Sequence, residues 1–205
     1  SLTQAVQELH DKASRAWFGI SNIIFKNKKM EVDKVFGLFD SLISPVATYG
    51  SVFWLPHTIK KAGFQSKSKL LDSWESFKCE TLNQKCCRMF LSVHKKTSRL
   101  AVLGELGRHP LFVNTLALCL NYKLSMDSRH NTTNLIDHVM TEMDDMARSG
   151  LDCWLTRVRQ VEGLLDIPRH LKHSKISGKH LTSLLKSKFD RYWIDNLSIY
   201  QGTIH

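Results

Sequence analysis

Residues with the chemistry to hold metals or move protons are scattered along this chain. Asp137, Glu142, Asp144 and Asp145 are four carboxylates in one short stretch. If that stretch is a helix, Asp144 and Asp145 diverge by about 100°, which suits a solvated acidic face better than a divalent-cation site. Cys79, Cys86, Cys87 and His94 could be soft-metal ligands, yet no paired Cys-x-x-Cys accompanies them. Their spacing instead puts the cysteines on one helical face as small buried side chains. His170, His173 and His180 form a weak metal signal with no cysteine beside them. Three basic clusters remain, and their chemistry is phosphate contact by point charges. They are Lys28 with Lys29, then Lys95, Lys96 and Arg99 beside hydroxyl residues, then Arg169, Lys172 and Lys175. For Lys26, Lys28 and Lys29 a solvated loop is an equal alternative.

Composition favours the third chemistry. Twenty-nine Lys and Arg face nineteen Asp and Glu, a formal charge of +10. Such a surplus calls for a polyanion, and its spread over several segments fits nucleic acid better than an anionic membrane surface. No apolar run of about 18 residues is free of charges and breaks, so no membrane span is expected. Five cysteines, odd in number and unevenly spaced, do not suit a disulfide framework and point to a reducing, intracellular compartment. The opening Ser-Leu-Thr-Gln reads as an excised piece of a longer chain. The chain has no phosphate-binding glycine loop, no His-Glu-x-x-His and no Gly-x-Ser-x-Gly. A Cys–His nucleophile has no local support.

The elements that must position these clusters are helices. Apolar residues recur at three- and four-residue steps over 2–27, 36–54, 70–93, 111–126, 135–147, 150–161 (with Trp154, Val158 and Val161 inward) and 181–200, and no alternating strand pair occurs. The fold class is therefore all-α. The densest apolar run, 36–54, carries one charge, Asp40, and reads as the buried spine. Ser44 and Pro45 suggest a cap and restart there. Gly50 either permits a close approach of helix or nucleic acid, or sits at a bend. Pro56 should end the spine, and a basic loop should follow to Lys69. Ser98 reads as a helix cap, Glu105 and Arg108 as a local ion pair, and Pro110 as a helix start. A boundary near 128 divides 1–127, a helical bundle, from 128–205, a smaller helical region of unclear role.

Two blocks also carry a resemblance. Leu38-Phe-Asp-Ser-Leu-Ile-Ser-Pro-Val-Ala-Thr-Tyr-Gly-Ser-Val-Phe-Trp-Leu resembles the segment that follows the palm in reverse transcriptases of LINE-type (non-LTR) retrotransposons. Phe90-Leu-Ser-Val-His-Lys-Lys-Thr-Ser-Arg-Leu-Ala-Val-Leu-Gly-Glu-Leu-Gly-Arg-His-Pro-Leu is similar to a second signature of that family. Lys12-Ala-Ser-Arg-Ala-Trp resembles its first thumb helix. The likeness spans residues 1 to about 125 well and the remainder loosely. It departs at Ser51-Val-Phe-Trp, where the family often has an acid before its Trp, and in lacking the Cys-x-x-Cys…His…Cys knuckle, which suggests a lineage with an N-terminal apurinic-type endonuclease or a truncated copy. The resemblance implies a reverse-transcriptase thumb and following helical region, holding the template–primer duplex against a palm outside this segment. It implies no cofactor here, with Mg²⁺ in the palm, and no catalysis by this segment alone. The implied partners are an RNA–DNA hybrid, template RNA, target DNA and the palm and fingers of the same polyprotein, with assembly in the cytoplasm and action in the nucleus. Lys28, Lys29, Gly50, Lys95, Lys96 and Arg99 would face the duplex, with Arg169, Lys172 and Lys175 as a second patch. The rival reading is a helical scaffold or protein-interaction module. An unrecognised enzyme is a further rival and would need a pocket of convergent polar groups.

Overall fold

The structure, a computed structural model, describes residues 2–26, 30–59, 61–128, 135–167 and 178–201. Among them every regular element is a helix, so the chain is all-α. Two compact units emerge: Ser1–Gly50 with Trp74–Phe112, and Ser51–Ser73 with Val113–His205.

The first unit opens with α1 (Leu2–Lys26), which buries Val6, Ala13, Trp17 and Ile24 at the spacing of one helical face. Against it lies the first half of the spine, α2 (Val32–Leu38), a π-helical turn (Phe39–Ile43) and α3 (Ser44–Ala47). Trp17 meets Phe39 edge-on at 5.8 Å. The expected restart at Pro45 takes another form. Ser44 is itself helical (φ −56°, ψ −45°), and its N–H reaches back to the Phe39 carbonyl. Proline has no N–H and crowds the preceding turn, and one widened turn accommodates both defects without breaking the helix. This first half ends at Gly50, whose φ of +63° closes a turn. Nothing lies within 4 Å of where its Cβ would stand, so within this chain the glycine serves backbone conformation and not close packing.

The stretch from 70 to 93 is not one helix. α5 (Lys67–Asp72) and a 3₁₀ turn (Ser73–Ser76) give way to a turn before α6 (Glu80–Leu91). The break aims Glu80, a fully buried carboxylate, at the start of α8 (Leu111–Ser128). Its Oε2 accepts from the Leu111 N–H at 2.7 Å and its Oε1 from the Asn83 amide at 2.7 Å. Glu80 thus satisfies an orphan donor of that helix N-terminus. Burial raises its pKa to about 7, with those hydrogen bonds, one from the Phe112 N–H and the charge of Arg108 pulling the other way.

In the second unit, α4 (Ser51–Thr58) runs two residues past Pro56. The proline leaves the Val52 carbonyl without its i+4 donor. Trp154 Nε1 fills that place at 2.7 Å, and Cys119 Sγ lies 3.4 Å from the same oxygen. Ser66 caps α5, and a 3₁₀ turn (Lys61–Phe64) occupies the expected loop. A Cβ at Gly63 would lie 2.7 Å from both Ile59 Cγ2 and Ser73 Oγ, so only glycine fits. α9 (Leu135–Arg148), α10 (Trp154–Leu164) and α11 (Gly178–Gln201) complete the unit. Trp154, Val158 and Val161 face inward as their spacing predicts. Lys123 is buried, 2.7 Å from Asp127 and 3.2 Å from Glu162, an internal ion pair the sequence did not signal.

Candidate nucleic-acid interface

Helix α6 presents two faces. Leu82, Asn83, Cys86 and Cys87 point inward, and Lys85 and Met89 are exposed. The helix stops where Ser92 turns left-handed (φ 53°, ψ 34°). The Ser92 N–H then bonds the Met89 carbonyl at 3.3 Å, and the Val93 N–H bonds that of Arg88 at 3.1 Å. These paired bonds form a Schellman closure with serine in the place glycine usually takes. The chain reverses over residues 94–98. There the Thr97 N–H reaches the His94 carbonyl at 3.0 Å, and the Lys96 N–H reaches His94 Nδ1 at 3.2 Å. Ser98 Oγ accepts from the Ala101 N–H at 3.5 Å and caps α7 (Arg99–Glu105), as its position predicts.

This corner holds an open groove of about 350 Å³, lined by Lys85, Arg88, Met89, Ser92, Val93 and Lys95 among others. Arg88 Nη2 donates to the Thr97 carbonyl at 3.0 Å, which tethers one edge of the guanidinium. Its Nε is buried without a hydrogen-bond partner. Burial and the nearby charge of Arg99 both hold the Arg88 pKa below its ordinary value. Arg99 spends Nη1 on the Glu75 carbonyl at 2.7 Å, so it braces the corner as well as charging it. Lys95 and Lys96 are exposed.

Several arginines elsewhere are compensated, although Arg15 and Arg191, also among the described residues, are not. Arg108, Arg148, Arg157 and Arg159 each pair with a carboxylate. Among the described residues, none of Lys85, Arg88, Lys95, Lys96 and Arg99 forms an ion pair. Some of that charge complements the carbonyl end of α6; the remainder faces solvent.

The structure brings together part of the expected site. Lys95 lies in the groove, with Lys96 and Arg99 on the same corner. Lys85 and Arg88, on the same helix, complete it. Their spacing, three residues apart on one helix face and seven to ten residues before Lys95, was the available signal. Gly50 closes the α3 turn in the same unit. Lys28, Lys29, Arg169, Lys172 and Lys175 lie outside the described residues, as do His170 and His173.

The two blocks that carry the family resemblance also meet. Arg108 does not pair with Glu105; it grips Asp40 with two bonds, 2.7 and 3.1 Å, and lies 4.3 Å over the Phe36 ring. A bidentate carboxylate partner and an aromatic face outcompete an exposed neighbour three residues away. Asp144 pairs with Arg159 and Asp145 with Arg148, so these acids serve local ion pairs. Cys79 and Cys87 are buried thiols that burial pushes up to about 12, and Cys86 is raised further in the same way. Among the described residues no group of three His, Cys, Asp or Glu side chains is placed to hold a metal ion, and no single helix is long and apolar enough to cross a membrane. Comparison of the chain with protein-family models, with curated proteins and with solved structures returned no match.

Proposed function

We propose that this chain is a nucleic-acid-holding segment of a LINE-type RNA-directed DNA polymerase, comprising the thumb and the helical region after it. The α6–α7 corner contacts the sugar–phosphate backbone. In this reading the palm of the same polyprotein supplies the catalytic carboxylates and Mg²⁺. The observation that carries the proposal is the set of five cations at that corner without carboxylate partners. Charges left uncompensated are ready for phosphate, and they read shape and charge, not sequence. The two sequence blocks support the polymerase assignment, and the Asp40–Arg108 bridge gives both a reason to be kept together. An RNA–DNA hybrid, with its two phosphate rows beside a wide, shallow minor groove, is the natural substrate for such a surface.

The test is binding of the chain to an RNA–DNA hybrid, duplex DNA and single strands, followed by fluorescence anisotropy between about 50 and 200 mM salt. A linear fall of log affinity with log salt, with a slope of about −3 to −4 on duplexes, corresponds to engagement of most of the five cations. Absence of binding both to the chain alone and to the chain joined to its palm overturns the proposal and favours a protein-interaction module. Phe18 and Ile23, each 68% exposed on α1, are apolar side chains open to such a partner.

A further inference from the structure

The groove contains more than a backbone contact requires. Phosphate oxygens call for cations and donors, yet Met89 and Val93 stand among the lysines with 38% and 37% of their surface exposed. Apolar side chains left in water beside fixed charges suit a ligand with a charged part and a flat apolar part. A nucleotide is such a ligand. The volume sets its size: about 350 Å³ is at the small end of ligand sites, which run from about 300 to 1,000 Å³. That is the scale of one nucleotide. Arg88 adds a guanidinium tethered at one edge by its bond to the Thr97 carbonyl, and guanidinium planes stack on unpaired bases.

We infer that the groove seats one unpaired nucleotide of a strand, with its phosphate on Lys85 and Lys95 beside the Ser92 hydroxyl and its base on Met89 and Val93 against Arg88. The inference rests on the nucleic-acid reading above and sharpens it. Paired bases are hidden in a duplex, so the seat discriminates single-stranded from double-stranded substrate. The lysines serve both, and the apolar floor serves only the first. On a template–primer, the seat would take a template residue outside the hybrid.

The test compares a short single-stranded oligothymidylate with a blunt RNA–DNA hybrid. In one variant Met89→Ser is combined with Val93→Ser; in the other Lys85→Gln is combined with Lys95→Gln. All four residues are partly or fully exposed in position, and circular dichroism confirms the fold of each variant. The first variant is expected to lose about fivefold or more on the single strand, the lower end of what a base contact is worth, and less than twofold on the hybrid. The second loses affinity for both. If the Met89/Val93 variant binds the single strand as the parent does, or loses equally on both substrates, the seat is wrong. In that case a loss by the lysine variant on both substrates leaves the backbone-contact reading standing. If neither variant changes anything, both readings fall. Displacement of the strand by free thymidine monophosphate at matched nucleotide concentration would assign the groove to a free nucleotide and overturn its role on a strand.

Discussion

Glu80 makes the stability of the first unit depend on pH in an unusual direction. Its carboxyl is fully buried and its pKa stands at about 7 against an ordinary 4.5. Below pH 4.5 both the folded and unfolded chains keep the proton. Between 4.5 and about 7 only the unfolded chain releases it, so rising pH favours unfolding. Each pH unit in that window costs about 1.4 kcal/mol, or about 3 kcal/mol across it, and above it the penalty is constant. Glu80→Gln removes the titration while keeping the shape. The parent's stability relative to this variant should therefore fall by about 2 to 3 kcal/mol between pH 5 and pH 8. Labelling with 5-fluorotryptophan gives separate signals for the indoles, and urea unfolding can be followed at Trp17 and Trp74, both in the first unit. A parent-minus-variant difference that stays flat over this range would show that the Asn83 amide and the Leu111 and Phe112 N–H groups hold the carboxylate charged despite burial.

Other contacts give sharp expectations. Arg108→Met should destabilise the first unit by about 2 kcal/mol through lost charge-assisted bonds to Asp40 and the lost cation–π contact. Asp40 is half exposed, so Asp40→Asn should cost less, and a double-mutant cycle in urea should return a coupling of about 1 kcal/mol. In the second unit, Trp154→Phe leaves the Val52 carbonyl without its N–H donor and should cost about 1 to 3 kcal/mol. Pro56→Ala restores a backbone donor four residues on, and should recover part of that loss in the Trp154→Phe background. Equal costs of Trp154→Phe with and without Pro56→Ala would refute this account of the helix.

Helical periodicity made much of the fold legible. The α1 face of Val6, Ala13, Trp17 and Ile24 and the α10 face of Trp154, Val158 and Val161 follow from spacing alone, because each is local. Failures came where a distant partner overrides a local pattern. Apolar residues keep helical spacing through 70–93, yet the chain breaks before Glu80 because that carboxylate caps a helix that begins 31 residues later. Arg108 looks as though it should pair with Glu105, but its partner is 68 residues back. Pro56 looks terminal until an indole from 102 residues away takes the carbonyl it frees. At the candidate site the run Lys95, Lys96 and Arg99 was visible as a cluster. The contribution of Lys85 and Arg88 depends on the left-handed Ser92, a turn that no glycine announces.

In the proposed function, uncompensated charge at the α6–α7 corner grips nucleic acid. The most direct test of that grip is the salt dependence of hybrid binding by a Lys85→Glu, Lys95→Glu, Lys96→Glu variant, which spares Arg88 and Arg99 because both brace the turn. A large loss of affinity is expected, with a slope shallower by about 2 to 3 than the parent's, close to one per phosphate contact removed. A variant that binds the hybrid with the parent's affinity and slope would contradict it.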